Sequence, residues 1–106
     1  LALVRMLRAK HGRAFPIVLL VPENAGWSSM AEAMKAGALI EEADIRDLRA
    51  AIDGTTKTDL RRVYGNLERG SGNHLRSFVA HIEALTGEHY VAQVLSQDEV
   101  DEILGR

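Results

Sequence analysis

Glu41 and His74 are the residues of this 106-residue chain whose type and placement could do chemistry. Each falls in a long segment of helical periodicity. Over residues 28–52, Met30, Met34, Ala38, Ile45, Leu48 and Ile52 return to one face at 3.6-residue spacing. Glu41 falls in the middle of that face. At about 100° per residue, Met34 and Ile52 stand roughly 20° to one side of it, and Met30 and Leu48 roughly 20° to the other. A buried, unpaired carboxylate is costly, so this position demands a cationic partner, a proton or a metal. Over residues 58–85 the apolar face is Leu60, Tyr64, Leu67, Leu75, Phe78, Ile82 and Leu85. Its middle is polar instead: Gly70, Ser71, Gly72, Asn73 and His74, with Ser71 near the centre and His74 on the flank.

Carboxylate and imidazole donors on facing helices are how di-iron and di-manganese sites are built in helical bundles. Hard divalent metals take oxygen donors, and an imidazole adds one directed nitrogen. Glu41 and His74 are therefore the candidate metal ligands, with Glu42, Asp44, Glu68, Ser71 and His81 as lesser candidates. A plainer account competes for each. Glu41 could be a buried ion pair with Arg61, Arg62 or Arg76. His74 could be an imidazole at the core edge, bonded to a backbone carbonyl or to Tyr64. Glu42, Asp44, Arg46 and Asp47 read as a solvated helix face, and His81, Glu83, Glu88 and His89 as surface. Met30 and Met34 read as core, and Trp27 as an anchor for the start of the first long helix. The Gly70-Ser71-Gly72 run falls within a helix, so it is not a phosphate loop. No Ser/His/Asp triad follows from the spacing.

The elements that must position these groups can be taken in order. Residues 1–11 read as a short helix stopped at Gly12. Residues 13–27 are the least helical part, where Pro16 and Pro22 bracket a β-branched run, 17–21, with no second clear strand to pair with it. Ser28 or Ser29 is the expected N-cap of the first long helix, with Glu32 completing a capping box. Gly37 suits a close helix approach, and Asp53-Gly54 ends the helix. Thr58 is the expected cap of the second helix, and so short a link makes the two helices antiparallel neighbours. Gly65, Gly70 and Gly72 weaken that second helix, and Gly70-Ser71-Gly72 suggests a kink, a π-bulge or a close approach. Gly87 ends it. Ser96 caps a last helix, Gln97–Leu104, with Glu99 closing a capping box. The expected organisation is a helix remnant and extended linker over 1–27, then a helical domain over 28–104. The fold class is all-α: two long antiparallel helices plus short terminal helices.

Composition narrows the function classes. Hydrophobic content is 46% and net charge is −2 with both signs interspersed, which argues against a broad nucleic-acid footprint. With no Cys there is no disulfide framework and no thiolate metal site. No secretory signal is visible, and the run 15–21 is far short of the roughly 20 apolar residues that span a bilayer. The chain begins with Leu, so it reads as a fragment or a processed product; the compartment stays open, with cytoplasmic favoured for the chain as given.

Two runs resemble a known family. Residues 35–48, KAGALIEEADIRDL, look like the third helix of an uncharacterised bacterial ferritin-like domain family, a domain of unknown function. Residues 63–78, VYGNLERGSGNHLRSF, look like its fourth helix, and Tyr90 with Leu95-Ser96-Gln97-Asp98-Glu99 resembles its C-terminal segment. Order and spacing agree as well as residue type, over roughly 28–104. The resemblance implies a ferritin-like four-helix bundle, in which two helices each give a Glu and two each give a Glu-x-x-His. Glu41 then matches the third-helix Glu and His74 the fourth-helix His, while Ser71 stands where the usual Glu would be. Residues 1–11 resemble only the tail of the second helix. What is expected is half a bundle, completed as a homodimer, with iron or another divalent metal between Glu41 and His74. The reaction class, if there is one, would be metal-dependent oxidation or iron handling. The rival expectation is a metal-free, dimerising interaction or scaffold module.

Overall fold

A computed structural model describes residues 4–7, 19–22 and 27–106, with side chains from Ser29 onward. Three helices dominate it: α1 (Trp27–Asp53), α2 (Thr58–Thr86) and α3 (Gln97–Leu104). The region from Trp27 to the end is all-α, as expected. α1 and α2 form an antiparallel hairpin. As the α1 partner moves back from Arg49 to Glu41 to Gly37, its α2 partner moves forward from Glu68 to His74 to Phe78. Four residues, Gly54 to Lys57, make the turn.

The hairpin's core is the two apolar stripes laid together. Met34, Ala38 and Ile45 of α1 meet Leu75, Phe78, Val79 and Ile82 of α2. The link between α2 and α3 then folds back over α1. Tyr90 and Leu95 of that link and Val100 of α3 complete the same core. At Gly37 the helices pass close together, because an added Cβ there would stand 2.5 Å from the Phe78 ring. Gly37 is therefore the close approach that its place in the stripe suggests. Gly72 faces Ile103 and gives α3 its seat on α2.

Several local expectations hold. α1 ends at Asp53, and α2 stops at Gly87, which takes the left-handed conformation (φ 71°) that a side chain resists. Ser96 and Glu99 form the reciprocal capping box of α3, with Glu99 N–H donating to the Ser96 hydroxyl at 3.1 Å and Ser96 N–H to the Glu99 carboxylate at 2.8 Å.

Others need correction. Residues 4–7, expected within a helix, form a strand, β1 (Val4–Leu7). It pairs antiparallel with β2 (Leu19–Pro22), Val4 opposite Pro22 and Leu7 opposite Leu19. An eleven-residue helix is marginal by itself, and the run 17–21 needed a partner; pairing settles both. α1 starts at Trp27, so Ser28 and Ser29 lie inside it and neither is its cap. Lys57, not Thr58, holds the N-cap position of α2 and makes no side-chain cap bond. α2 is one unbroken α-helix through Gly70-Ser71-Gly72. Packing of its apolar stripe outweighs the glycine penalty of about 1 kcal/mol each. Leu67 was expected in the stripe but is 54% exposed. The expected anchoring role of Trp27 concerns a side chain outside the described residues.

Candidate functional site

Two carboxylates sit next to each other on α1, and both are buried: Glu41 is 5% and Glu42 0% exposed. Consecutive helical residues point about 100° apart, so the pair cannot share an environment. Glu41 faces α2. Glu42 faces the link between α2 and α3.

Glu41 meets His74. Its Oε1 lies 3.3 Å from His74 Nδ1, so the α1–α2 packing brings together the two residues singled out from sequence. Ser71, one turn before His74 on α2 and nearly buried, hydrogen-bonds the same carboxylate. Burial pushes the Glu41 carboxyl above its ordinary range, while the His74 charge and the Ser71 hydroxyl pull it down and nearby Asp44 pushes it up again. The other oxygen, Oε2, is buried with no hydrogen-bond partner among the described residues. The expected arginine partners lie elsewhere. Arg76 bonds Asn73 and the Ile103 carbonyl, and Glu41 takes neither Arg61 nor Arg62.

Beside this pair, a groove of about 460 Å³ opens between the helices. Asp44, Asp47 and Leu48 line it from α1, and Asn66, Leu67, Gly70, Ser71 and His74 from α2. Asp44 and Asp47 are exposed, as expected of a solvated face, and Asp47 pairs with Arg46. Glu68 belongs to a different cluster: it accepts from Arg49, which also reaches Glu99, so it ties α1, α2 and α3 rather than joining Glu41. His81 is half-buried, its Nδ1 2.8 Å from the Ser77 carbonyl, where a surface position was expected. His89 and Glu88 are exposed, as expected.

Glu42 is the larger correction, because it was placed on the solvated face. Its carboxylate accepts from the Tyr90 hydroxyl at 2.5 Å and from the backbone N–H groups of Gln93, Val94 and Leu95 at 3.0, 2.8 and 2.9 Å. Gln93 extends the network, donating to the Tyr90 oxygen at 2.7 Å and to the Lys35 carbonyl at 2.8 Å. Burial, and next the Glu42 hydrogen bond, push the Tyr90 phenol well above its ordinary range. The carboxylate thus straps the 90–95 segment onto α1. No periodic signal in the sequence marks this segment, so the burial of Glu42 and the roles of Tyr90 and Gln93 were not legible from spacing.

Among the described residues, no group of three or more His, Cys, Asp or Glu is close enough to hold a metal ion. The described residues of one chain do not group enough donors for a dinuclear centre. What they do supply is one carboxylate and one imidazole in contact, with one carboxylate oxygen unsatisfied. No helix among the described residues is long and apolar enough to cross a membrane.

Residues 20–106 match the family described as uncharacterized protein domain (DUF2202). The uncharacterized protein MJ0754 of Methanocaldococcus jannaschii is 42% identical over 79 residues, covering 74% of this chain and 42% of that protein. The crystal structure of the hypothetical protein MJ0754 from Methanococcus jannaschii aligns with a TM-score of 0.66 at 41% identity, over 72% of this chain and 43% of that one. This chain therefore spans less than half the length of the relative it matches. That relative is archaeal, where the resemblance in sequence pointed to bacteria.

Proposed function

The chain belongs to the DUF2202 family, and from that premise we propose a ferritin-like helical domain in which Glu41 and His74 hold iron or another divalent metal. The observation that carries this reading is the second oxygen of Glu41. It is buried and unsatisfied, on a carboxylate whose first oxygen already meets an imidazole. Such an oxygen asks for a cation or a proton. Oxygen plus imidazole nitrogen is a donor set that divalent iron, manganese and zinc accept.

The described residues of one chain do not group the donors of a dinuclear centre, but a single ion could sit on Glu41 and His74, with its remaining donors drawn from solvent or from a facing helix pair. A homodimer that rebuilds four helices from two hairpins would provide that pair. When bound, the ion would supply Lewis acidity or, for iron, one-electron redox chemistry. The chain's own residues do the rest. Glu41 brings the negative charge, and the Ser71 hydroxyl hydrogen-bonds the carboxylate.

The test is metal content by mass spectrometry on protein purified without chelator, with Glu41→Ala and His74→Ala alongside. The expected result is about one or two iron, manganese or zinc ions per dimer, lost in both variants. No metal above background, even after incubation with ferrous iron, would leave the Glu41–His74 contact as a structural ion pair.

That outcome would favour the second reading, a metal-free interaction or scaffold module. Its own support is the set of large apolar side chains left exposed on the hairpin, Leu39, Ile40, Val63 and Leu67.

A further inference from the structure

We propose that the outward face of α2 is a docking surface for an acidic helix of another protein, whose carboxylates at seven-residue spacing pair with Arg62, Arg69 and Arg76. The inference does not depend on Glu41 and His74.

Two copies of one short unit stand in tandem on α2: Gly65-Asn66-Leu67-Glu68-Arg69 and Gly72-Asn73-His74-Leu75-Arg76. Both take the same local arrangement. Arg69 Nη2 donates to the Asn66 side-chain oxygen, and Arg76 Nη2 to that of Asn73. The other terminal nitrogen lies over the glycine one turn back. A Cβ added at Gly65 would stand 3.9 Å from Arg69 Nη1, and one added at Gly72 would stand 4.0 Å from Arg76 Nη1. Each guanidinium is thus held along the helix, which lowers the rotamer entropy lost when a partner binds. Arg62 begins the same row one heptad earlier. Seven residues rise about 10.5 Å and drift only about 20° around the axis, so the three arginines stand nearly in line. They are exposed, as are Asn66 and Asn73 between them, while Leu75 and Phe78 face the core.

Charge selects the occupant. Arg46, Arg49 and Arg106 are each paired with a carboxylate. The row on α2 is not. Among the described residues, Arg69 and Arg76 meet only neutral acceptors, Asn66, Asn73 and the Ile103 carbonyl, and Arg62 makes no ion pair. Glu68, the one acid of α2 between Arg62 and Arg76, is taken by Arg49. This line of unbalanced positive charge lies on a chain whose net charge is −2. A guanidinium fork fits a carboxylate or a phosphate. The period favours carboxylates on a helix, because a partner helix repeats its own side chains at the same rise of about 10.5 Å per heptad. The row has no aromatic side chain on which bases could stack and no large apolar side chain to enter a bilayer. Nor does a second copy fit through the outward row of α1, Glu32, Leu39, Arg46 and Asp53, which would set Arg46 against like charge.

The test is titration of the isotopically labelled 106-residue chain, followed by amide NMR, with two alanine-based helical peptides of one composition. One peptide carries three Glu at seven-residue spacing; the other distributes the same three Glu around the helix. At low ionic strength the spaced peptide should bind about fivefold more tightly and shift residues 62–76. Arg62→Gln and Arg69→Gln should each weaken it about twofold to fivefold with unchanged circular dichroism. Arg69→Glu should abolish binding, and a peptide with Lys as its central charge should restore it. Equal affinity for the two peptides overturns the proposal, and so does no binding of the spaced one. Tighter binding of single-stranded DNA, or of vesicles of phosphatidylserine and phosphatidylcholine, in the same buffer also overturns it, making the face a general polyanion surface.

Discussion

The Tyr90 hydroxyl donates to Glu42 at 2.5 Å, joining residues 48 positions apart and fixing the strap between α2 and α3 against α1. Glu42 is fully buried and takes three backbone N–H groups besides, so its removal orphans several donors at once. Glu42→Ala is expected to destabilise by about 3–5 kcal/mol. Tyr90→Phe, which deletes one donor and keeps the ring, should cost about 1–3 kcal/mol. Urea unfolding checks both, and a near-neutral Glu42→Ala would contradict the strap.

Gly37→Ala raises intrinsic helix propensity by about 1 kcal/mol and should nevertheless destabilise. The new methyl meets the buried Phe78 ring at 2.5 Å, and overpacking of this kind costs about 1–3 kcal/mol. A thermal melt should show a lower midpoint. Gly37→Ala combined with Phe78→Leu should recover part of it.

In metal-free protein at neutral pH, Glu41→Gln should be neutral or stabilising by about 1–2 kcal/mol. Burial is the largest influence on this carboxyl and works against its ionised form, whereas the amide keeps an acceptor for Ser71 and His74 without the charge. Denaturant unfolding in chelator measures this. A loss of about 2 kcal/mol or more would mean that the charge of Glu41 is itself a net stabiliser.

Glu83 sets an acid limit. It accepts from Arg106 at 3.0 and 2.5 Å and from Tyr90 N–H at 2.8 Å, and the Arg106 hydrogen bonds come first in drawing its carboxyl down to about 2. A depressed carboxyl contributes stability that is present above its ordinary pKa of 4.5 and lost as pH falls through about 2. Stability measured from pH 5 to pH 2 should therefore fall, and Glu83→Gln should flatten that slope.

Sequence legibility followed periodicity. Glu41 could be found because it interrupts a regular apolar stripe, and His74 because it flanks the matching stripe on the next helix. The short 54–57 link foretold the antiparallel hairpin, Gly37 in the first stripe its close approach, and the Ser96/Glu99 spacing the boxed cap of α3. Glu42 could not be found, because the groups that bury it come from the irregular 90–95 segment, whose backbone conformation leaves no repeating pattern. β1 was hidden for a related reason. Leu3, Val4 and Leu7 fit a helical spacing over too few residues to exclude a strand, and the deciding interaction is with β2, fifteen residues away. Gly70 and Gly72 signalled a break that packing against α1 and α3 overrides.

The most direct measurement is Mn²⁺ titration followed by amide NMR on the isotopically labelled chain, since a paramagnetic ion broadens the residues nearest to it. The account predicts broadening centred on Glu41, Ser71 and His74, lost in His74→Ala. Broadening centred on exposed acidic or histidine positions such as His89 or Asp98, with Glu41 and His74 untouched, would contradict it.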